Sequence, residues 1–396
     1  MEQKLIGTTT VFFTDRCREK NKGILKLTHP AMLAEEETLR WLDSVHLDEV
    51  AANMDADLRT AAENTLSKGT VLLANTAWKT ADEWEKWLQI DNKKKKCVHL
   101  LALGDVGSTV LTALKLMGGD CIETLGIYDV NPDVCARWET ELNQAAFPWD
   151  YDALPTVEIL TEEQLFDCDM FVFCASKGIP PVGSQVQDVR MVQYEANKGI
   201  ISIFAKKARD AKFEGLFAVV SDPVDPLCRA AFLASNEDEA GIFDGKGLRP
   251  EQVQGYGLGV MNARAAYYAK QNPNFADFLT EGRAFGPHGQ DLVIANSIAN
   301  YDDERSKALT KLAIEANLRM RELGFKPYVA PAISSAAISL LLTLRGEWHY
   351  SSNFLNGVYM GSKNRTTLGV EIESLPLPDA LFQRIQKAYD GLEMIR

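Results

Sequence analysis

Short apolar runs and helical-period segments alternate through the middle of the chain. Residues 98–103 (VHLLAL) are an apolar run after the lysines 93–96, the pattern of a strand buried on both faces of a parallel sheet. A tight turn follows, Gly104-Asp105-Val106-Gly107. Residues 108–117 then place Val110, Leu111, Leu114 and Met117 on one helical face, and Gly118-Gly119 closes the helix. A second apolar run, 124–128, ends at Asp129.

The same patterning continues downstream. Asn131-Pro132-Asp133 is a helix start, and 156–160 is a short strand candidate. Residues 169–174 (DMFVFC) form an apolar strand candidate that ends at Ala175-Ser176. A glycine- and proline-containing loop, 177–190, has the composition of a lid. A helix over 190–207 and a strand over 216–220 follow, and the strand runs into Ser221-Asp222-Pro223-Val224-Asp225. Residues 236–247 are acidic and glycine-containing, as in a surface insertion. Helices are expected near 261–269, 306–323, 330–344 and 380–394, and strands over 354–360 and 367–371. Before residue 93, Phe12 and Phe13 lie in a strand candidate, while 34–66 and 81–88 have helical spacing. No catalytic constellation stands out there, and His29 and His46 read as surface or packing residues. An oligomerisation arm, a cap or a regulatory module all suit that segment.

Strand, glycine turn, helix, strand and acid in this order make the start of a dinucleotide-binding βαβ unit. The glycines let the backbone approach a pyrophosphate, and the helix N-terminus offers free N–H groups and a positive dipole end. Gly104, Asp105, Val106 and Gly107 are therefore the candidate phosphate cradle, with Ala102 where the full fingerprint has its first glycine. Asp129, 22 residues after Gly107, suits the ribose hydroxyls and repels a 2′-phosphate, which favours NAD over NADP. Ala175 and Ser176 are taken as further cofactor contacts.

The 396 residues leave room for two domains and an appendage. A net charge of −13 argues against nucleic acid or an anionic membrane surface as partner. The seven cysteines are odd in number and show no C-x-x-C, so free thiols in a reducing cytoplasm are expected, and no metal site. The first residues lack a signal pattern, and the longest apolar run, 330–344, contains Pro331 and is too short to span a bilayer.

From about Cys97 onward the chain resembles the lactate/malate dehydrogenase family. GDVG with Asp129, SDPVD at 221–225, MNAR ending in Arg264, and GPHG around His288 stand in that family's order. His288 follows Arg264 by 24 positions and Asp222 follows Arg190 by 32, both intervals of the family. KPYVAPAISSAAISLLL resembles its helix against the nicotinamide. The resemblance implies an α/β fold: a Rossmann-type doubly wound parallel sheet over 93–228, then an α+β substrate domain over 229–396, after a mostly helical extension over 1–92. It implies an NAD-dependent interconversion of a small 2-hydroxy acid and its 2-keto acid by a homo-oligomer, a dimer or tetramer. His288 would be the acid/base, Arg264 would grip the substrate carboxylate, and Arg190 would come in with the lid to polarise the carbonyl. Gln185 stands where the family reads the substrate's distal group, and a neutral side chain there disfavours a second carboxylate.

Two positions depart from the family. Met261 replaces the aspartate that pairs with the catalytic histidine, and Asp222 replaces an asparagine. Loss of that carboxylate weakens the charged form of the histidine. Asp222 is then a candidate for the missing charge, or a repellent of substrate. These departures keep two alternatives open. One is a non-catalytic NAD-binding protein. The other is an NAD- and metal-dependent glycosidase of the related family, with Cys228 and His288 as its metal pair.

Overall fold

A computed structural model of the chain describes residues 2–90, 95–177 and 189–395. Residues 2–90 supply β1 (Glu2–Ile6), β2 (Thr9–Thr14), β3 (Ile24–Lys26) and β4 (Val71–Asn75), with helices α1 (Ala31–Ala34), α2 (Ser44–Ala52), α3 (Ala56–Leu66) and α4 (Ala81–Leu88). The middle of the chain gives β5 (Lys96–Leu101), α5 (Asp105–Met117), β6 (Ile122–Tyr128), α6 (Pro132–Asn143), β7 (Thr156–Ile159), β8 (Met170–Phe173), α7 (Val189–Asp210), β9 (Leu216–Val219), α8 (Val224–Asn236) and β10 (Val253–Gly255). Then come α9 (Leu258–Ala269), α10 (Phe278–Glu281), β11 (Arg283–Phe285), β12 (Val293–Ala295) and α11 (Asp303–Glu322). A π-helical stretch, Pro331–Ala337, runs into α12 (Ile338–Leu344), and β13 (His349–Leu355), β14 (Val358–Thr366), β15 (Val370–Ile372) and α13 (Asp379–Glu393) complete the order.

Six strands run parallel in the order β7-β6-β5-β8-β9-β10, a doubly wound sheet of Rossmann type. Their apolar runs are buried because helices cover both faces. Val98, Leu100 and Val172 pack on one side with Val110, Leu111 and Leu114 of α5, and Phe171, Phe173 and Phe217 pack on the other with α7 and α8. Met117, expected on the buried face of α5, is 40% exposed, since the helix ends there at its Gly118 cap. The parallel sheet also continues past residue 228, where the sequence reading divides the domains, to include β10.

The sheet does not stop at β10. Antiparallel β13, β14 and β15 extend it, and β3, β4, β2 and β1 add a further edge, giving thirteen strands. The expected strand over 354–360 is instead a hairpin. Asn356 and Gly357 have φ of +48° and +94°, which turns the chain tightly between β13 and β14. The helical pattern over 34–66 is cut at Asp43 and Asp55, whose side chains cap α2 and α3. Polar contacts tie residues 2–90 to the rest. Lys26 pairs with Glu371 at 2.8 Å, and the Gly23 N–H donates to Glu251 at 2.8 Å. Arg249 pairs with Glu251 at 2.8 Å and Glu214 at 2.7 Å, and lies over the ring of buried Trp84. No helix among the described residues is long and apolar enough to cross a membrane.

Candidate active site

The carboxyl ends of β5, β6, β8 and β9 converge on one edge of the parallel sheet, where the strand order reverses between β5 and β8. At such a reversal the loops leave toward opposite faces and open a crevice. Ala102, at the end of β5, has a φ of +72°. Glycine enters this left-handed region freely, whereas alanine does so at a cost of about 1–2 kcal/mol. The turn thus keeps the backbone geometry of the fingerprint although its first glycine is gone. Gly107 has no such latitude, because a Cβ there would lie 2.0 Å from the Ala102 carbonyl oxygen. A Cβ on Gly104 would meet nothing within 4 Å, so the cap of α5 faces open space with its first-turn N–H groups.

The predicted ribose acid stands at this turn. Asp129 accepts from the Leu103 N–H at 2.8 Å and the Asn131 N–H at 3.0 Å, one through each carboxylate oxygen. Val106 packs into the core beneath α5. Asp105, in the first turn, is paired with Lys326 at 2.8 Å. Ala175 and Ser176 follow β8 on the same edge. The Ala175 carbonyl accepts from the Ser221 hydroxyl at 2.7 Å. Asn197 of α7, fully buried, donates to the Ser176 hydroxyl at 3.1 Å and the Asp222 carbonyl at 2.7 Å, and accepts from the Lys177 N–H at 2.9 Å. One amide therefore ties the base of the expected lid to the end of β9. Sequence reasoning missed it, although a polar amide in mid-helix is disfavoured unless it has buried partners. Most of the lid, including Gln185, lies outside the described residues, and the backbone of Arg190 is in the first turn of α7.

His288 is held through its ring. Its Nδ1 lies 2.7 Å from the carbonyl oxygen of Gly257, the residue that begins α9. A carbonyl only accepts, so Nδ1 carries the proton and Nε2 is the nitrogen left to exchange one. A Cβ on Gly257 would sit 2.8 Å from His288 Cβ, so the glycine permits this approach. The Ser335 hydroxyl donates to the same carbonyl at 2.5 Å and accepts from the Val260 N–H at 2.8 Å. Ser335 belongs to the KPYVAPAISSAAISLLL segment, whose alanines 332, 336 and 337 pack with α5. That helix thereby joins the glycine turn to the histidine.

Arg264 lies two turns along the same α9. Its Nη1 is 3.5 Å from Met261 Sδ and 3.4 Å from the Ala313 carbonyl. Burial lowers its guanidinium pKa, and the charges of Tyr268 and Asp222 offset part of that. Met261 is buried among Leu258, Val260 and Ala265 and offers no charge. The charge of Asp222 acts on Arg264, and His288 lies close enough to Asp225 to favour its charged form. Asp225 is 4% exposed, in the first turn of α8, and burial pushes it up to about 6. His288, Asp225 and Tyr194 share a cleft of about 80 Å³. Asp225 was within the SDPVD motif but three residues beyond the position the interval singled out.

No family model matches the chain. Among curated proteins, a probable malate dehydrogenase of Campylobacter jejuni is 27% identical over 290 residues, covering 69% of this chain and 87% of that protein. An L-lactate dehydrogenase of Staphylococcus epidermidis is 24% identical over 323 residues, covering 75% of this chain and 95% of its own. Among solved structures, a minor L-lactate dehydrogenase of Enterococcus mundtii superposes with a TM-score of 0.61 at 19% identity, over 76% of this chain and 98% of that one. A malate dehydrogenase of Archaeoglobus fulgidus in complex with NADH gives 0.60 at 18% identity, over 76% and 98%. The structures share the fold, and the curated relatives named malate and L-lactate dehydrogenase are similar in sequence over two thirds or more of this chain: the chain resembles the lactate/malate dehydrogenase family.

Proposed function

We propose that the protein is an NAD-dependent 2-hydroxy-acid dehydrogenase, with His288 as acid/base and Arg264 as the carboxylate grip. One observation carries the reading. His288 is fixed by the N-terminal carbonyl of the helix that bears Arg264, and the π-helical stretch that braces this contact packs on the helix of the glycine turn.

The cradle fits a dinucleotide. The Cβ-free approach at Gly107, the open cap at Gly104 and the acid Asp129 suit a pyrophosphate and an unphosphorylated ribose, with Asp105, Val106, Ala175 and Ser176 around them. Bound NAD would supply the hydride acceptor. The chain's own residues handle the rest. Oxidation removes a proton from the substrate hydroxyl, and Nε2 of His288 takes it while Nδ1 stays bonded to Gly257. The guanidinium of Arg264 pairs with the carboxylate and orients the reacting carbon. Arg190, whose backbone lies in the first turn of α7, is assigned the stabilisation of charge on the carbonyl oxygen during reduction.

Cys228 does not suit the glycosidase reading. It is fully buried, and burial drives its thiol well above the ordinary range, away from the thiolate a metal needs. The substrate is a small 2-keto acid or its 2-hydroxy partner, and we assign the enzyme to a reducing, cytoplasmic setting as a homo-oligomer. The test is NADH and NADPH oxidation against 2-keto acids from pyruvate and oxaloacetate to branched and aromatic ones, with His288→Ala alongside. NADH turnover lost in the variant supports the reading. Thermal stabilisation by NADH with no turnover of any acid would replace it with a binding protein.

A further inference from the structure

At the end of β5 far from the glycine turn, the fold sets a thiol against an imidazole. Cys97 and His99 are two residues apart on this strand, so their side chains share a face. Cys97 Sγ lies 3.2 Å from His99 Nε2. His99 is 4% exposed, and its Nδ1 is 3.1 Å from the Leu165 carbonyl oxygen. A carbonyl only accepts, so Nδ1 carries the ring proton and Nε2 turns its lone pair to the thiol. Cys97 is therefore the donor in that contact. Gly126 of β6, paired with His99, leaves room for the ring, since a Cβ there would lie 2.5 Å from the imidazole Cδ2. A second thiol, Cys168, donates to the same Leu165 carbonyl at 3.5 Å. Two thiols thus meet around one carbonyl, and of the two Cys97 is the one held against a base. It is also partly exposed, while the imidazole behind it is buried. Among the described residues no group of three or more His, Cys, Asp or Glu could hold a metal ion, so the corner is read as thiol chemistry.

We propose that Cys97 is a modification site for hydroperoxides, with His99 as the base that takes its proton. The site is independent of the dehydrogenase reading, because β5 carries the chain about 16 Å from Cys97 to the glycine turn. In the step, Nε2 of His99 accepts the thiol proton as the sulfur attacks one oxygen of the peroxide. The O–O bond breaks and an S–O bond forms. The sulfur gives up two electrons and becomes a sulfenic acid. The leaving hydroxide takes the proton back from Nε2 and departs as water. The charged groups around the pair set its resting state. Asp169 accepts from the Cys97 N–H at 2.8 Å and lies 3.7 Å from Lys96 Nζ, and its negative charge disfavours a standing thiolate. Burial lowers His99, and the Leu165 carbonyl, Asp167 and Glu158 offset part of that. The pair therefore rests as thiol and neutral imidazole, and the proton moves only as the sulfur attacks. Cys168 faces a carbonyl that cannot take a proton, and burial pushes its thiol well above the ordinary range.

The test treats the full-length protein with hydrogen peroxide in the presence of dimedone, which traps sulfenic acids, and follows each cysteine by peptide mass spectrometry. Cys17 is exposed and serves as the internal reference. Cys97 is expected to be trapped roughly tenfold faster than Cys17 at pH 7 although it is less exposed, and Cys168 more slowly than either. The Cys97 rate is expected to stay nearly level from pH 6.5 to 8. A thiol that must ionise first speeds up by about tenfold per pH unit below its pKa. His99→Gln removes the base, and is expected to slow Cys97 by roughly tenfold and to restore the rise with pH. If that variant does not fold, the wild-type pH profile judges the base by itself. Trapping of Cys97 no faster than Cys17 in the wild-type protein overturns the proposal. So does a Cys97 rate that climbs tenfold per unit in the wild type, or one that is unchanged in folded His99→Gln.

Discussion

At the scale of single residues, the proposed site contains two side chains that look unfavourable where they stand. Ala102 holds a left-handed φ that glycine would adopt without strain. Ala102→Gly relieves about 1–2 kcal/mol of steric cost and returns about 0.4–1 kcal/mol as unfolded-state entropy. The variant is therefore expected to be more stable by up to about 1 kcal/mol in denaturant titration, with NADH binding intact. A destabilised variant would show that the turn depends on the alanine side chain. Asp222 makes the opposite statement. Its negative charge acts on Arg264, the group proposed to take the substrate carboxylate. Asp222→Asn removes that competition, so KM for the best 2-keto acid is expected to fall several-fold in steady-state assays. A rise in KM would mean that Asp222 orients Arg264 rather than competing for it.

At the scale of elements, the glycine turn and α5 act as one unit. Gly107 sits against the Ala102 carbonyl, so any side chain there lifts α5 off β5. If NADH binds at this turn as proposed, it raises the melting temperature of the wild-type protein, and Gly107→Val is expected to abolish that rise. Retained stabilisation would place the cofactor elsewhere. This unit was legible from sequence because a strand buried on both faces is an unbroken apolar run, and a glycine turn and a terminal acid flank it. The hairpin of β13 and β14 was less so. Its Asn356-Gly357 turn is a strong local signal, but the residues on either side are apolar enough to pass for one strand. Strands β3 and β4 escaped notice because their runs are only three and five residues long and show no polar–apolar alternation. Asn197 and Asp225 escaped for another reason. Their partners lie on separate elements, and only folding brings them together.

At the scale of the whole molecule, one sheet joins the N-terminal strands, the parallel half and the antiparallel extension, so buried titrating groups in any part weigh on the stability of all of it. Two such groups pull in opposite directions. Burial lowers His349 to about 4, so the unfolded chain takes up its proton first as pH falls. Its stabilising contribution is present above about 6.5 and is lost as pH falls toward 4, on the order of 3 kcal/mol. Burial raises Asp225 to about 6, so its contribution is present below 3.8 and is lost as pH rises through 6. The two offset each other between pH 4 and 6 in the wild-type protein. Denaturant titrations across that window are expected to show a steeper loss on acidification for Asp225→Asn and a shallower one for His349→Gln. Parallel pH profiles for all three proteins would contradict this balance.

The most direct test of the central claim follows the hydride itself. NADH deuterated at the transferring position would be incubated with the protein and its best 2-keto acid, and the product examined by mass spectrometry and NMR. Transfer of the deuterium to C2 of a 2-hydroxy acid, abolished in His288→Ala, is the predicted result. Deuterium retained on the nicotinamide while the acid is unchanged, across the whole panel of acids, would contradict it.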